Sequence, residues 1–234
     1  MANIKYKKNV DRLKKLCKNY FVVENSGNLH KNQSNDIFFN ISYEQLDKGI
    51  QKFETKYYPL DEKTKNNARK YLAYLKNHSD RNVKANAEVI AFLCACRDSG
   101  YPVSYRIAGN IFGQNARRYF KLYNGARELI EKGILNNYPW EYGAEHYIDN
   151  IIKILVKKRI IKNGGNIKQE ALKILNKLRK FENKYKLTPI QAAIFAVYKS
   201  AKLVKKGKIT QLFSFRFENA KIKNIEKELY STNL

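Results

Sequence analysis

Residues 85–113, ANAEVIAFLCACRDSGYPVSYRIAGNIFG, carry the pattern that decides the fold. Apolar and small side chains recur at helical spacing from Ala87 to Cys94, and a polar break from Asp98 to Pro102 follows them. A second apolar helix and then a basic helix are predicted after the break. The pattern indicates a central helix, rich in small residues, that other helices can approach closely.

The same order occurs again further along the chain. The stretch from Asn86 to Leu129 is echoed by the stretch from Gln191 to Leu229, with a shift of about 105 residues. Small apolar residues from Ala192 to Val197 form the second central helix, and a basic helix again ends the unit. No part of the chain has the alternation typical of a sheet. The sequence therefore predicts an all-α protein with two tandem five-helix repeats.

Composition and turn signals divide the chain into four parts. Residues 1–40 are predicted to be a basic N-terminal arm, and residues 41–135 the first repeat. Residues 136–146 are predicted to be a linker, and residues 147–234 the second repeat, which ends in a helix-turn-helix. We expect a monomer.

Local signals fix several helix boundaries. Ser104 is predicted to cap a helix that ends at Phe112, and the next helix follows after the Gly113 turn, which is the spacing of a helix-turn-helix. Thr188 and Pro189 are predicted at the N-cap and first position of the second central helix. The stretch from His78 to Lys84 is predicted to be a polar loop.

The charge of the chain points to a polyanionic partner. There are 46 lysine and arginine residues against 21 aspartate and glutamate residues, which gives a formal net charge of +25 and a pI near 9.8. Nucleic acid is the first expectation for such a balance. A compositional bias of an AT-rich genome is the alternative explanation. The position of basic residues on particular helices therefore carries more weight than their total.

Cysteine usage argues against a zinc or redox site. The three cysteines, Cys17, Cys94 and Cys96, include no CxxC pair, so the spacing of a zinc ribbon is missing. Cys94 and Cys96 lie among apolar residues and are predicted to fill the core. No apolar run reaches the roughly 18 residues of a membrane span.

The sequence predicts no enzyme. The histidines lie far apart in polar surroundings, and none has an acid or thiol partner suited to catalysis or metal binding. We therefore predict no catalytic residue, no metal ligand and no cofactor. Most aromatic side chains fall on apolar helix faces and are predicted to be core, as are Tyr71, Tyr119, Phe120 and Tyr198.

Three stretches carry a family resemblance. Residues 85–113 resemble the first cyclin-like repeat of transcription factor IIB and its archaeal counterpart, transcription factor B. TPIQAAIFAVYKSAKL, residues 188–203, and AKIKNIEKEL, residues 220–229, resemble the second repeat. The resemblance extends over about residues 44–230. The missing membrane span and signal-peptide core predict a soluble, intracellular protein. The resemblance implies that it is associated with DNA, in a nucleus, an archaeal cytoplasm or a viral factory.

The resemblance also implies a function and a set of binding residues. It implies a nonenzymatic transcription initiation factor that bridges the TATA-binding protein, double-stranded promoter DNA and RNA polymerase. The recognition helix matches Asn219 to Tyr230, and Lys and Asn there have suitable chemistry for reading bases. The first repeat's basic residues are expected on phosphates. The expected DNA-binding residues are Arg117, Arg118, Lys121, Lys221, Lys223, Asn224 and Lys227.

The chain departs from the family in two respects. Phe213, Phe215 and Phe217 replace the small residues expected around the turn of the second helix-turn-helix. The N-terminal zinc ribbon that docks on the polymerase has no counterpart here, which leaves polymerase recruitment to the arm or to another subunit. With the lysine, asparagine and isoleucine bias, this favours a virus or a reduced genome as the source. Two alternatives remain open: a cyclin that activates a kinase, and a generic basic helical nucleic-acid binder.

Overall fold

The computed structural model of the chain describes residues 42–134, 142–162, 164–179, 182–185, 187–201, 209, 212–213 and 219–231. The chain divides into two units, Met1–Ile41 and a compact unit from Ser42 to Leu234, and the described residues all belong to the second. Its regular structure is helical, and no strand occurs in these described ranges. The prediction of an all-α fold is confirmed.

The helices of the first half surround the central helix Ala87–Asp98, which is the fourth in chain order. In chain order they are α1 (Glu44–Lys56), α2 (Glu62–His78), α3 (Arg81–Lys84), α4 (Ala87–Asp98), α5 (Tyr105–Phe112) and α6 (Ala116–Gly133). The described helices of the second half are α7 (Glu145–Lys157), α8 (Gly165–Arg179), α9 (Glu182–Tyr185), α10 (Pro189–Ser200) and α11 (Asn219–Ser231).

One order of helix lengths occurs in both halves. A helix of 13 residues comes first in each, as α1 and α7. A longer helix follows, with 17 residues in α2 and 15 in α8, and then a helix of 4 residues. The central helices α4 and α10 each have 12 residues. Corresponding starts lie roughly 100 residues apart. The assignment of this order to the cyclin-like type stays a prediction.

Both central helices are buried, because small and apolar residues occupy nearly all their positions. The main partner of α4 is α2, and that of α10 is α8. Cys94 and Cys96 are both fully buried in α4, which confirms that they fill the core. Burial raises the pKa of the Cys94 thiol to about 11, so that the side chain stays protonated at neutral pH.

The predicted helix starts are confirmed by their capping bonds. The Ser104 hydroxyl accepts a hydrogen bond of 3.2 Å from the backbone N–H of Ile107. In α10, Thr188 Oγ1 accepts from the N–H of Gln191 at 3.3 Å, and Gln191 Oε1 accepts from the N–H of Thr188 at 3.0 Å. This capping box, with Pro189 at the first position, fixes where α10 begins.

The region expected to be a polar loop contains a helical turn. The second helix, α2, continues to His78, and α3 forms over Arg81–Lys84. The cause is a local cap, since Asp80 Oδ1 accepts from the N–H of Val83 at 2.9 Å and the Val83 side chain is buried. The predicted arm and most of the predicted linker lie outside the described residues, and α7 begins at Glu145.

The C-terminal end of α4 joins the two halves. His146 Nε2 on α7 lies 2.8 Å from the backbone oxygen of Arg97, and a carbonyl can only accept, so the ring donates. Asn150 Nδ2 donates to the backbone oxygen of Ser99 at 2.5 Å. Gly100 follows with φ of +74°, and a Cβ there would lie 2.7 Å from the backbone oxygen of His146. Only glycine therefore permits this close approach.

Candidate nucleic-acid interface

The predicted recognition helix, α11, docks on the second half through one face. Ile225 and Leu229 are buried on that face. On its flanks, Glu226 pairs with Lys199 of α10 at 2.7 Å, and Glu228 pairs with Lys184 of α9. The Tyr185 hydroxyl also donates to Glu228 Oε1, at 2.7 Å. Both acidic residues of α11 are thus used to hold the helix in place.

The other face of α11 is basic and exposed. Lys223, Asn224 and Lys227 are all exposed there, and Lys223 and Lys227 are one helical turn apart. Neither lysine forms an ion pair with any residue that the structure describes. The structure therefore brings three of the four predicted residues of this helix together on one surface, which we call the α11 basic face: Lys223, Asn224 and Lys227.

The fourth residue, Lys221, has a different position on the helix. It lies one turn before Ile225, and Ile225 belongs to the buried face. Its side chain is outside the described part of the structure. The helical register therefore separates position 221 from positions 223 and 227, which sequence spacing alone had grouped together.

The predicted basic residues of the first half lie on α6. Lys121 is exposed there, whereas the side chains of Arg117 and Arg118 are outside the described part of the structure. Arg117 and Arg118 could instead pair with acids of the same helix, such as Glu128 or Glu131, but these two acids have other partners. Glu128 pairs with Lys132 at 2.6 Å, and Glu131 pairs with Arg127 at 3.1 Å.

The prediction of aromatic core residues is correct for two side chains and wrong for one. Tyr71 and Tyr119 are buried, and Tyr198 is half-buried. Phe120 is 54% exposed, beside Lys121 on α6. The reason is the register of α6, because Tyr119 and Tyr123 face the core and Phe120 falls outside that stripe.

A buried ion pair, which sequence reasoning missed, anchors α6 in the core. Arg127 is fully buried and pairs with Asp98 at the end of α4. Asp98 also accepts from the Tyr71 hydroxyl at 2.7 Å and from the Tyr142 hydroxyl at 2.9 Å. Burial and the neighbouring Asp98 carboxylate raise the pKa of Tyr71, so its hydroxyl stays protonated and donates. These partners satisfy a charge that would otherwise be costly to bury.

Arg97 contacts both helices of the predicted helix-turn-helix of the first half, α5 and α6. Its guanidinium carbon lies 4.3 Å from the ring centre of Tyr105 on α5 and 4.7 Å from that of Tyr123 on α6. Its Nη1 also donates to the Tyr105 hydroxyl at 3.1 Å. A cation between two aromatic rings from different helices stabilises their relative position. The last two residues of α4 before Ser99 thus support both α5 and α6.

The described ranges contain neither a metal site nor a membrane-spanning helix. Within them, no group of three or more histidine, cysteine or acidic side chains is placed to hold a metal ion. No helix among the described residues has the length and apolar character needed to span a membrane. The α11 basic face is the candidate nucleic-acid interface.

Comparison with known proteins adds no relative. No family model matches the chain, and neither a curated protein nor a solved structure is similar enough to count as a match.

Proposed function

We propose that this protein is a DNA-binding transcription initiation factor of the IIB type, without enzymatic activity. It bridges the TATA-binding protein, double-stranded promoter DNA and RNA polymerase. It is located in the same compartment as that DNA. The observation that supports this most directly is the α11 basic face at the end of a duplicated helical order. The net charge of +25 favours the same partner.

The residues of the α11 basic face suit a DNA groove. An α-helix fits the major groove of B-DNA, where lysine can donate to guanine O6 and N7 and asparagine can pair with adenine. Lys223 and Lys227 extend from one side of the helix over one turn, with Asn224 next to Lys223. Since Glu226 is paired with α10 and Glu228 with α9, they do not cancel this charge.

The first half supplies phosphate contacts in this proposal. Lys121 is exposed on α6, and Arg117 and Arg118 occupy the first turn of the same helix. Phosphate contacts fix the position of a protein on the duplex but do not read its sequence. We assign positioning to α6 and base reading to α11.

In this proposal, the contact with RNA polymerase does not involve a zinc ribbon. The 234 residues contain no CxxC pair that could build a zinc ribbon. In this proposal the contact is made by residues 1–40 or by a further subunit.

A gel-shift experiment tests the bridging function. The full chain is mixed with a TATA-containing duplex at about 150 mM salt, with and without TATA-binding protein, and a scrambled duplex serves as competitor. We expect a slower complex that requires both the TATA-binding protein and the TATA sequence. Equal binding to both duplexes, with no ternary complex, would contradict the proposal and leave a general basic helical binder.

A second arm of the same experiment separates base reading from charge. Asn224→Ala removes an amide without changing the net charge, so we expect duplex affinity to persist and discrimination between promoter and scrambled DNA to fall. A lost base contact typically reduces discrimination by about 1–3 kcal/mol. If discrimination stays unchanged, Asn224 does not read a base.

A further inference from the structure

One aromatic side chain of α6 lies exposed on the surface. Phe120 is 54% exposed, whereas the other aromatic side chains that the structure describes are buried or half-buried. A phenylalanine ring in water gains nothing from that position, and a partner that covers the ring would remove its apolar area from water. The chemistry of that partner follows from what surrounds the ring.

The ring of Phe120 packs against a fixed neighbour. Its centre lies 4.8 Å from the centre of the Tyr105 ring on α5, and the two ring planes are at 78°. Tyr105 is held by Arg97, which lies over its ring and donates to its hydroxyl at 3.1 Å. In an edge-to-face pair, Tyr105 can cover at most one face of Phe120. At least one face of the Phe120 ring is therefore left open by this contact.

The stretch of chain around Phe120 is basic. Between Asp98 and Glu128 the sequence contains no acidic residue. Within this stretch, Arg106 follows Tyr105 on α5, Lys121 follows Phe120 on α6, and both are exposed. An open aromatic ring among cations suits a partner that combines negative charge with flat rings. A nucleic-acid strand has both properties.

Helical register adds a polar group to the same surface. Phe120, Lys121 and Asn124 lie outside the stripe of α6 that is buried through Tyr119 and Tyr123. Asn124 is exposed one turn after Phe120, so its amide lies where it can reach the edge of a base that covers the ring. We call these residues the α6 aromatic surface: Arg106, Phe120, Lys121 and Asn124.

An open ring face favours an unpaired base over a paired one. In a duplex each base is stacked on its neighbours, and inserting a side chain between two base pairs requires that they be unstacked at a cost in free energy. An unpaired base offers its face without this cost, and stacking on an aromatic side chain then stabilises the complex.

We propose that Phe120 stacks on an unpaired base of single-stranded DNA, with Arg106 and Lys121 on the neighbouring phosphates and Asn124 at the edge of the base. The choice of DNA rests on the proposed function, whereas the stacking contact itself requires neither a promoter nor the TATA-binding protein.

The test uses three variants that leave the net charge unchanged. Phe120→Leu keeps an apolar side chain but removes the aromatic ring, and Phe120→Trp keeps a ring. Val156→Ala is the control, because Val156 is an exposed apolar residue on α7. Circular dichroism checks that each variant folds.

Binding is measured on the full chain without the TATA-binding protein. A fluorescent thymidine strand of about 12 nucleotides, a uridine strand of the same length and a matching DNA duplex are titrated at salt concentrations around 150 mM. Fluorescence anisotropy gives the affinities.

We expect Phe120→Leu to bind the thymidine strand about tenfold more weakly than the wild type, and Phe120→Trp and Val156→Ala to stay close to it. The salt slope is expected to stay constant, since no charge changes. Equal affinity of Phe120→Leu and Val156→Ala for the thymidine strand would overturn the proposal. An equal loss on the duplex would also overturn it, because the ring would then not distinguish unpaired bases.

Two further outcomes bear on the nucleic acid. Tighter binding of the uridine strand than of the thymidine strand would overturn the assignment to DNA. A wild-type chain that binds neither strand would overturn the stacking contact. The bridging function is measured separately, on a TATA-containing duplex with TATA-binding protein, so either proposal can fail while the other holds.

Discussion

The two halves of the described unit share an order of helices but anchor their last helix differently. In the first half, α6 is fixed by Arg127, which is fully buried and pairs with Asp98 of α4. In the second half, α11 is held by two buried apolar residues and by ion pairs at its flanks, such as Glu226 with Lys199. The comparison shows how one helical plan can give a firmly anchored helix and a surface helix with a free basic face.

The largest expected difference between the halves comes from removing the buried arginine. Arg127→Met leaves Asp98 buried without its cation, and breaking such a pair costs about 3–5 kcal/mol. We expect a loss near 3 kcal/mol, because Tyr71 and Tyr142 still donate to Asp98. Urea unfolding at neutral pH measures the change.

The matched variant in the second half is Lys199→Gln. It breaks the partly exposed pair with Glu226, and such pairs contribute about 0–1 kcal/mol. Equal destabilisation by Arg127→Met and Lys199→Gln would contradict the difference in anchoring between α6 and α11.

A smaller effect is expected at the junction between the halves. Gly100→Ala places a Cβ where φ is +74° and where the backbone oxygen of His146 is 2.7 Å away. We expect a loss of about 2 kcal/mol, within the range for a strained backbone position. Thermal unfolding gives the value, and Gly125→Ala is the control because a Cβ there meets nothing within 4 Å. If Gly100→Ala costs no more than Gly125→Ala, the junction does not need the close approach between Gly100 and His146.

A smaller effect is expected at two helix caps, one in each half. Thr188→Ala removes one bond of the capping box of α10 and should cost about 1 kcal/mol. Ser104→Ala removes the single cap of α5 and should cost a similar amount. Urea unfolding of both variants checks this. A loss above that of Gly100→Ala at either cap would show that the helix ends, rather than the junction, limit stability.

The parts of the fold that could be predicted depend on local signals. The capping residues Ser104 and Thr188 act within three residues of themselves, and the central helices follow from apolar spacing. The cap of α3 at Asp80 is equally local, but the polar composition of that stretch had indicated a loop. Helical register explains the error at Phe120, since one position separates it from the buried Tyr119.

The parts that could not be predicted depend on contacts between distant residues. Asp98 and Arg127 are 29 residues apart in sequence, and nothing near either residue marks the other as its partner. His146 was predicted to have no catalytic or metal-binding partner, yet its ring donates to a backbone oxygen of the other half. For the α11 basic face, the basic charge and the helix could be predicted from the sequence. Which of its lysines share one face could not.

The most direct measurement is the salt dependence of duplex affinity for Lys223→Gln with Lys227→Gln. The control is Lys52→Gln with Lys70→Gln, which changes the net charge equally. If the α11 basic face binds DNA, the α11 variant loses affinity and its slope of log affinity against log salt falls by about 2, while the control keeps a slope near that of the wild type. Equal slopes and equal affinities in the two variants would contradict the account, because duplex binding would then depend on total charge alone.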